Sequence, residues 1–155
     1  MLPISKFDMV IGNLTAAAAA THLNGMVDTL GFDFCTINFC ASGNHTTAAS
    51  HPTTFKLGQS NDTYITNATD IVAFVGSAGA TTATAGWSIP DMPTVSTTPY
   101  AIQMNVDCRA LSRYLFLEVI PAGGSMTASA FASLFRAEQL PNTTTEAGVL
   151  AVVNG

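Results

Sequence analysis

A strict two-residue alternation between positions 100 and 120 constrains this chain more than any other feature. In PYAIQMNVDCR, Tyr100, Ile102, Met104, Val106 and Cys108 fall on one face, and Gln103, Asn105, Asp107 and Arg109 on the other. Successive side chains of an extended strand point to opposite sides, so this pattern makes a half-buried strand and is out of phase with a helix. After the link Ala110 to Ser112, RYLFLEVIP repeats it, with Leu115, Leu117 and Val119 on one side and Tyr114, Phe116 and Ile120 on the other. The two runs read as a β-hairpin. Pro121, Gly123 and Gly124 then end the second strand.

Weaker versions of the same pattern recur. Phe7, Met9 and Ile11 alternate with Asp8 and Val10 as a first strand that stops at Gly12-Asn13, and FDFCTINFCA puts Cys35, Ile37, Phe39 and Ala41 on one side. Phe55 and Leu57 mark a short strand in FKLGQ. TDIVAFVG is apolar on both faces, as a strand covered on both sides would be, and a Gly, Ala and Thr loop over 76–86 follows. Prolines at 90, 93 and 99 exclude a helix interior or central strand there, which leaves a surface connection pinned by Trp87 and Ile89.

SMTASAFASLFRAEQLP fits two patterns: a helical face of Phe131, Leu134 and Phe135, or a strand in which Phe131, Ser133 and Phe135 alternate with Ala132 and Leu134. The strand is favoured because the β-rich remainder needs a partner. Seven or eight short strands and no convincing long helix imply an all-β fold, an antiparallel β-sandwich of jelly-roll type. One domain should span 1–155, with an N-terminal arm at about 1–6 and a C-terminal tail at about 141–155.

Composition narrows the function classes. Only 10% of the residues are charged, against roughly 25% in an average soluble domain. Five Lys and Arg and a net charge of −5 exclude a nucleic-acid partner, which requires a basic patch to displace counterions from phosphates. No apolar run approaches the roughly 20 residues of a membrane-spanning helix, so no membrane role is expected. The start MLPISKFDMV lacks a signal-peptide core, and synthesis in a cytoplasm is expected. A surface of small neutral polar groups suits burial in subunit contacts, or else an extracellular domain with a Thr-rich skin.

No reaction chemistry emerges. His22, His45 and His51 sit in expected loops without metal-pair spacing, G-x-S-x-G is absent, and the acids are scattered. Neither a cofactor nor a metal is expected. Asn61, Asp62 and Asp70 are the one set that could meet around calcium, although a solvated loop is the plainer reading. Cys35 and Cys40 lie five apart in a strand and so point to opposite faces; buried free thiols are the default, and a bridge from Cys108 to either stays open. Asp107, Arg109, Arg113 and Glu118 crowd the expected hairpin, where they would set register. Arg109 and Arg113 are the candidate partner-binding residues, because Arg is enriched at interfaces. Phe131, Phe135 and Trp87 are expected in the core.

DMVIGNLTAAAAATHLNGMVDTLGFDFCTI, FKLGQSNDTYITNATDIVAFVG, IQMNVDCRALSRYLFLEVIP and RAEQLP together resemble the head decoration, or cement, proteins of tailed bacteriophages. The resemblance implies a non-enzymatic virion structural protein, a β-sandwich made in the host cytoplasm and carried on the capsid exterior. Its partners would be the major capsid protein and itself, with a trimer favoured over a dimer. The two terminal segments would reach across subunits, and many modest contacts would stabilise the head by avidity. The alternative is a receptor- or glycan-binding module of a phage fibre or spike, for which Tyr64 and Trp87 are the candidate platforms.

Overall fold

The computed structural model describes residues 5–17, 22–43, 52–78, 86–90, 99–121, 125–135 and 151–154. Its strands are β1 (Ser5–Ala17), β2 (Leu23–Asp28), β3 (Phe34–Gly43), β4 (Thr54–Ser60), β5 (Thr69–Asp70), β6 (Gly76–Ala78), β7 (Trp87–Ile89), β8 (Tyr100–Asp107), β9 (Tyr114–Ile120), β10 (Ser125–Phe135) and β11 (Ala151–Asn154). One sheet runs β1-β10-β3-β8-β11, a second β2-β9-β4-β5, and β6 and β7 form a small parallel ribbon. Setting aside that ribbon and β11, the pairs β1–β10, β2–β9, β3–β8 and β4–β5 are nested antiparallel and alternate between the sheets. That is one long hairpin wrapped around a core, the jelly-roll topology.

The wrapping corrects the expected hairpin. β8 and β9 lie in opposite sheets, because the link over residues 108–113 crosses the sandwich instead of folding back along one sheet edge. Backbone bonds hold it: Cys108 N–H donates to the Asp33 carbonyl at 2.8 Å, and Thr29 N–H to the Arg113 carbonyl at 3.0 Å. The inward faces are as expected, since Ile102, Met104 and Val106 bury against the layer of Leu115, Leu117 and Val119, but β8 is not half-buried: Gln103 and Asn105 on its other face are buried as well. Facing across a sandwich and pairing along an edge produce the same alternation.

Aromatic rings link the layers. Phe39 from β3 meets Phe55 from β4 edge to face at 4.8 Å, and Phe55 meets Trp87 at 5.4 Å. Each such buried ring contributes about 1.5–3 kcal/mol of burial, and the edge-to-face geometry adds to it. Trp87 is core, as expected, and its indole N–H donates to the Phe74 carbonyl at 3.2 Å. At the mouth of the sandwich β1 and β2 approach so closely that a Cβ on Gly25 would overlap the Val10 carbonyl.

Three further expectations are corrected. β1 continues through Gly12-Asn13, with register shifts between Met9 and Ile11 and between Ile11 and Leu14. The first shift breaks the alternation, so Phe7 and Met9 point outward while Val10 and Ile11 are buried. TDIVAFVG is not a strand covered on both sides. Only Thr69–Asp70 pairs before a 3-10 turn over Val72–Phe74, which inserts Phe74 into the core and leaves Val72 exposed. Phe131 and Phe135 are not core: on β10 the inward row is Met126, Ala128, Ala130, Ala132 and Leu134.

The strand reading of 125–135 holds, and the last strand has a partner in the chain itself, since β11 pairs in parallel with β8. Cys35, Cys40 and Cys108 are free thiols, with Cys35 buried and Cys40 exposed on the opposite face. Desolvation pushes the Cys108 thiol up to about 12 and raises Cys35 as well, so neither is a nucleophile at neutral pH. Residues 1–4 of the expected arm, most of the tail, and the expected loops holding His45 and His51 lie outside the described residues.

Candidate interaction surface

The two outward faces of the sandwich differ in chemistry. On the five-stranded sheet, β1 and β10 pair Met9 with Phe131 and Phe7 with Ser133, which gathers three large apolar side chains on one surface. Phe7 is 72% exposed, Met9 73% and Phe131 40%. The Phe7 and Phe131 rings stack at 6.3 Å, and further along the sheet Phe34 stacks on Phe135 at 6.5 Å.

The middle of this face is neutral. Gln103 Nε2 and Thr36 Oγ1 both donate to Asn105 Oδ1, at 2.9 and 3.0 Å, in a buried polar cluster. Its charges stand at one end, where Arg109 lies 5.0 Å over the Phe34 ring and its Nε donates to Asp107 Oδ1 at 2.9 Å.

The outward face of the four-stranded sheet is ion-paired. Lys56 Nζ sits 3.0 Å from Asp70 and 3.3 Å from Glu118, and the other Glu118 oxygen is 2.7 Å from His22 Nδ1. The hydrogen bond to Asp70 is the main reason the Lys56 ammonium is held above its ordinary value. Arg113 forks onto Asp28, Nε to Oδ1 at 2.9 Å and Nη2 to Oδ2 at 2.7 Å. The guanidinium beside Asp28 lowers that carboxyl to about 2. Phe116 on this face is only 4% exposed and lines an open groove with Asn24, Thr63, Ile65 and its strand neighbour Met26, which is 37% exposed.

Arg109 and Arg113 are therefore not brought together. Each is exposed and belongs to its own ion pair on a different sheet. The ion pair of Arg113 crosses strands, whereas that of Arg109 joins it to its near neighbour in sequence while its guanidinium lies over Phe34. The calcium set also stays apart: Asp62 accepts from Asn67 Nδ2 at 2.8 Å and from Tyr64 N–H at 2.9 Å, Asp70 holds Lys56, and Asn61 accepts from Arg113 N–H at 3.4 Å. No group of three His, Cys, Asp or Glu among the described residues could hold a metal ion. Of the two candidate glycan platforms, Trp87 is buried and Tyr64 is exposed.

Sequence reasoning missed Phe7, Met9 and Phe131 as surface residues. A signal was present in β10, where Ala128, Ala130 and Ala132 make an unbroken small apolar row, while the alternate row is Thr127, Ser129, Phe131 and Ser133. A phenylalanine in phase with Ser and Thr belongs to the outward row.

No family model and no curated protein matches the chain. Among solved structures, the chain is similar to a structure of the infectious bursal disease virus Gx strain, with 8% identity, a TM-score of 0.48, and coverage of 90% of this chain and 33% of that one. It is also similar to the infectious bursal disease virus VP2 subviral particle and to T=1 particles derived from that virus. Both are 11% identical, over 86% of this chain and 32% of theirs, at TM-scores of 0.38 and 0.37. The chain thus spans about a third of the length of these structures' chains. The jelly-roll topology stands on the strand order alone.

Proposed function

We propose that this chain is a non-enzymatic virion structural protein that binds the outside of a phage capsid and bridges neighbouring capsomers. The observation that carries this reading is the outward face of the five-stranded sheet, where Phe7, Met9 and Phe131 lie exposed together on β1 and β10, beside the neutral row of β3 and β8. Large apolar side chains clustered on a surface mark a contact with another macromolecule. Jelly rolls serve capsids, lectins and cupins alike, so the surface selects the reading and the fold only permits it.

The partner is the major capsid protein, met by the aromatic face, with Arg109 at its polar rim. Repetition over the lattice turns modest contacts into firm attachment. Of the two platforms expected for a glycan-binding role, Trp87 is buried and Tyr64 is exposed. The test is co-sedimentation of the purified protein with heads assembled without it. Saturable binding at a fixed ratio to capsid protein supports the reading, and protein that stays in the supernatant at micromolar concentration overturns it.

A further inference from the structure

β1 ends the five-stranded sheet; β2 of the other sheet comes up against it at Val10, and no described strand pairs with its outer edge over Ser5–Met9. An open edge carries a row of backbone donors and acceptors that another strand can take up, and folded proteins usually blunt it with a bulge or a lysine. β1 has both. Its register shifts begin after Met9, so the stretch from Ser5 to Met9 keeps an unbroken one-to-one register with β10, and the later part of the strand is the irregular part.

Within that regular stretch the charges are arranged symmetrically about Phe7. Lys6 and Asp8 lie on one side of the strand, 3.2 Å apart and partly exposed, and Phe7 lies on the other. A lysine alone would repel a second β1, but a lysine and an aspartate two residues apart do the opposite. In an antiparallel pair centred on Phe7, each Lys6, already beside Asp8 of its own strand and acting on Asp28, also faces the partner's Asp8.

We propose that β1 pairs antiparallel with β1 of a second copy of this chain, about a twofold axis through Phe7, joining the two five-stranded sheets into one continuous sheet. Such an axis is perpendicular to the sheet, so both aromatic faces end on the same side. The two Phe7 rings face each other across the axis, each continuing into its own Phe131 stack. The result is one apolar surface of doubled extent. The pairing does not depend on the capsid reading, although it would present that surface bivalently.

Light scattering after size exclusion tests it on the full chain, with a mass of twice 16.1 kDa expected. A monomer at all concentrations, or a trimer, overturns the proposal. Lys6→Asp or Asp8→Lys each sets like charges opposite one another at two symmetry-related places, and should raise the dimer dissociation constant about tenfold. The double reversal restores complementarity and should return it to within about threefold of the original. Equal affinity for all four proteins overturns the charge register.

A second variant reads the register directly: Phe7→Cys with Cys40→Ser should join two copies through a short bis-maleimide, and Val72→Cys in the same background should not. Failure of the first to cross-link, or equal cross-linking of both, overturns the pairing. A dimer that does not sediment with heads would remove the capsid reading alone, and a monomer that does sediment would remove the pairing alone.

Discussion

Phe116 and Phe131 each stand on the outward side of a sheet, yet one is 4% exposed and the other 40%. The difference lies in what surrounds them. Phe116 is flanked by Met26 and Ile65 on a face whose charges are matched by Lys56, Glu118, Asp70, Asp28 and Arg113. Phe131 lies between the exposed Phe7 and Met9 of β1 and Asn38 of β3, on a face with no ion pair at its middle among the described residues. A satisfied face contributes to folding, whereas an unsatisfied one keeps its apolar surface for a partner. On the proposed function, the four-stranded sheet is the stabilising wall of the sandwich and the five-stranded sheet the contact surface.

The largest expected effect separates these two rings. Phe116→Ala should lower unfolding free energy by about 3 kcal/mol, since a buried ring is lost and a cavity is left. Phe131→Ala should cost less, about 1–2 kcal/mol, because 40% of that residue is exposed to begin with. Denaturant titration of both variants checks this, and equal losses would erase the contrast.

Next comes Glu118→Gln, which removes the carboxylate shared by Lys56 and His22. About 1 kcal/mol should be lost, the upper end for partly exposed pairs, and less at high salt. Reversing Arg109 on the other face should leave the melting temperature nearly unchanged, because its bond to Asp107 joins residues two apart.

A smaller effect follows from acid. The Asp28 carboxyl is lowered to about 2 by Arg113, so the folded state holds its proton less tightly than the unfolded chain, whose aspartates titrate near 4. The contribution is complete above about pH 4 and disappears as pH falls through about 2. Arg113→Ala should therefore flatten the acid limb of the stability curve in that window, and an unchanged limb would argue against the fork. Smallest of all in energy is a labelling contrast. Cys40 should react with a thiol reagent in the native protein, while Cys35 and Cys108 should react only on unfolding.

Much of this architecture was legible in the residues. β8 and β9 alternate so strictly that their inward faces could be named, and the β-rich remainder favoured a strand over a helix at β10. What alternation cannot carry is the identity of the neighbouring strand, which is why β8 and β9 were expected to pair directly and instead oppose each other across the core. Nor does it survive a bulge: one shift after Met9 separates the facing of Phe7 from that of Ile11, and no residue type announces it. The ion pairs of the four-stranded face were illegible for another reason, since Asp28 and Arg113 lie 85 residues apart and meet only once β2 and β9 are paired. The exposure of Phe7 and Phe131 was concealed by the rule that places large aromatics inside, which holds only on average.

The most direct test of the central claim compares head binding by two charge insertions, Phe131→Glu on the five-stranded sheet and Lys56→Glu on the four-stranded one. The account predicts that Phe131→Glu keeps its melting temperature within a few degrees and no longer sediments with heads, while Lys56→Glu melts lower and still binds. Unimpaired binding by Phe131→Glu, with binding lost in a folded Lys56→Glu, would contradict it and move the contact surface to the opposite sheet.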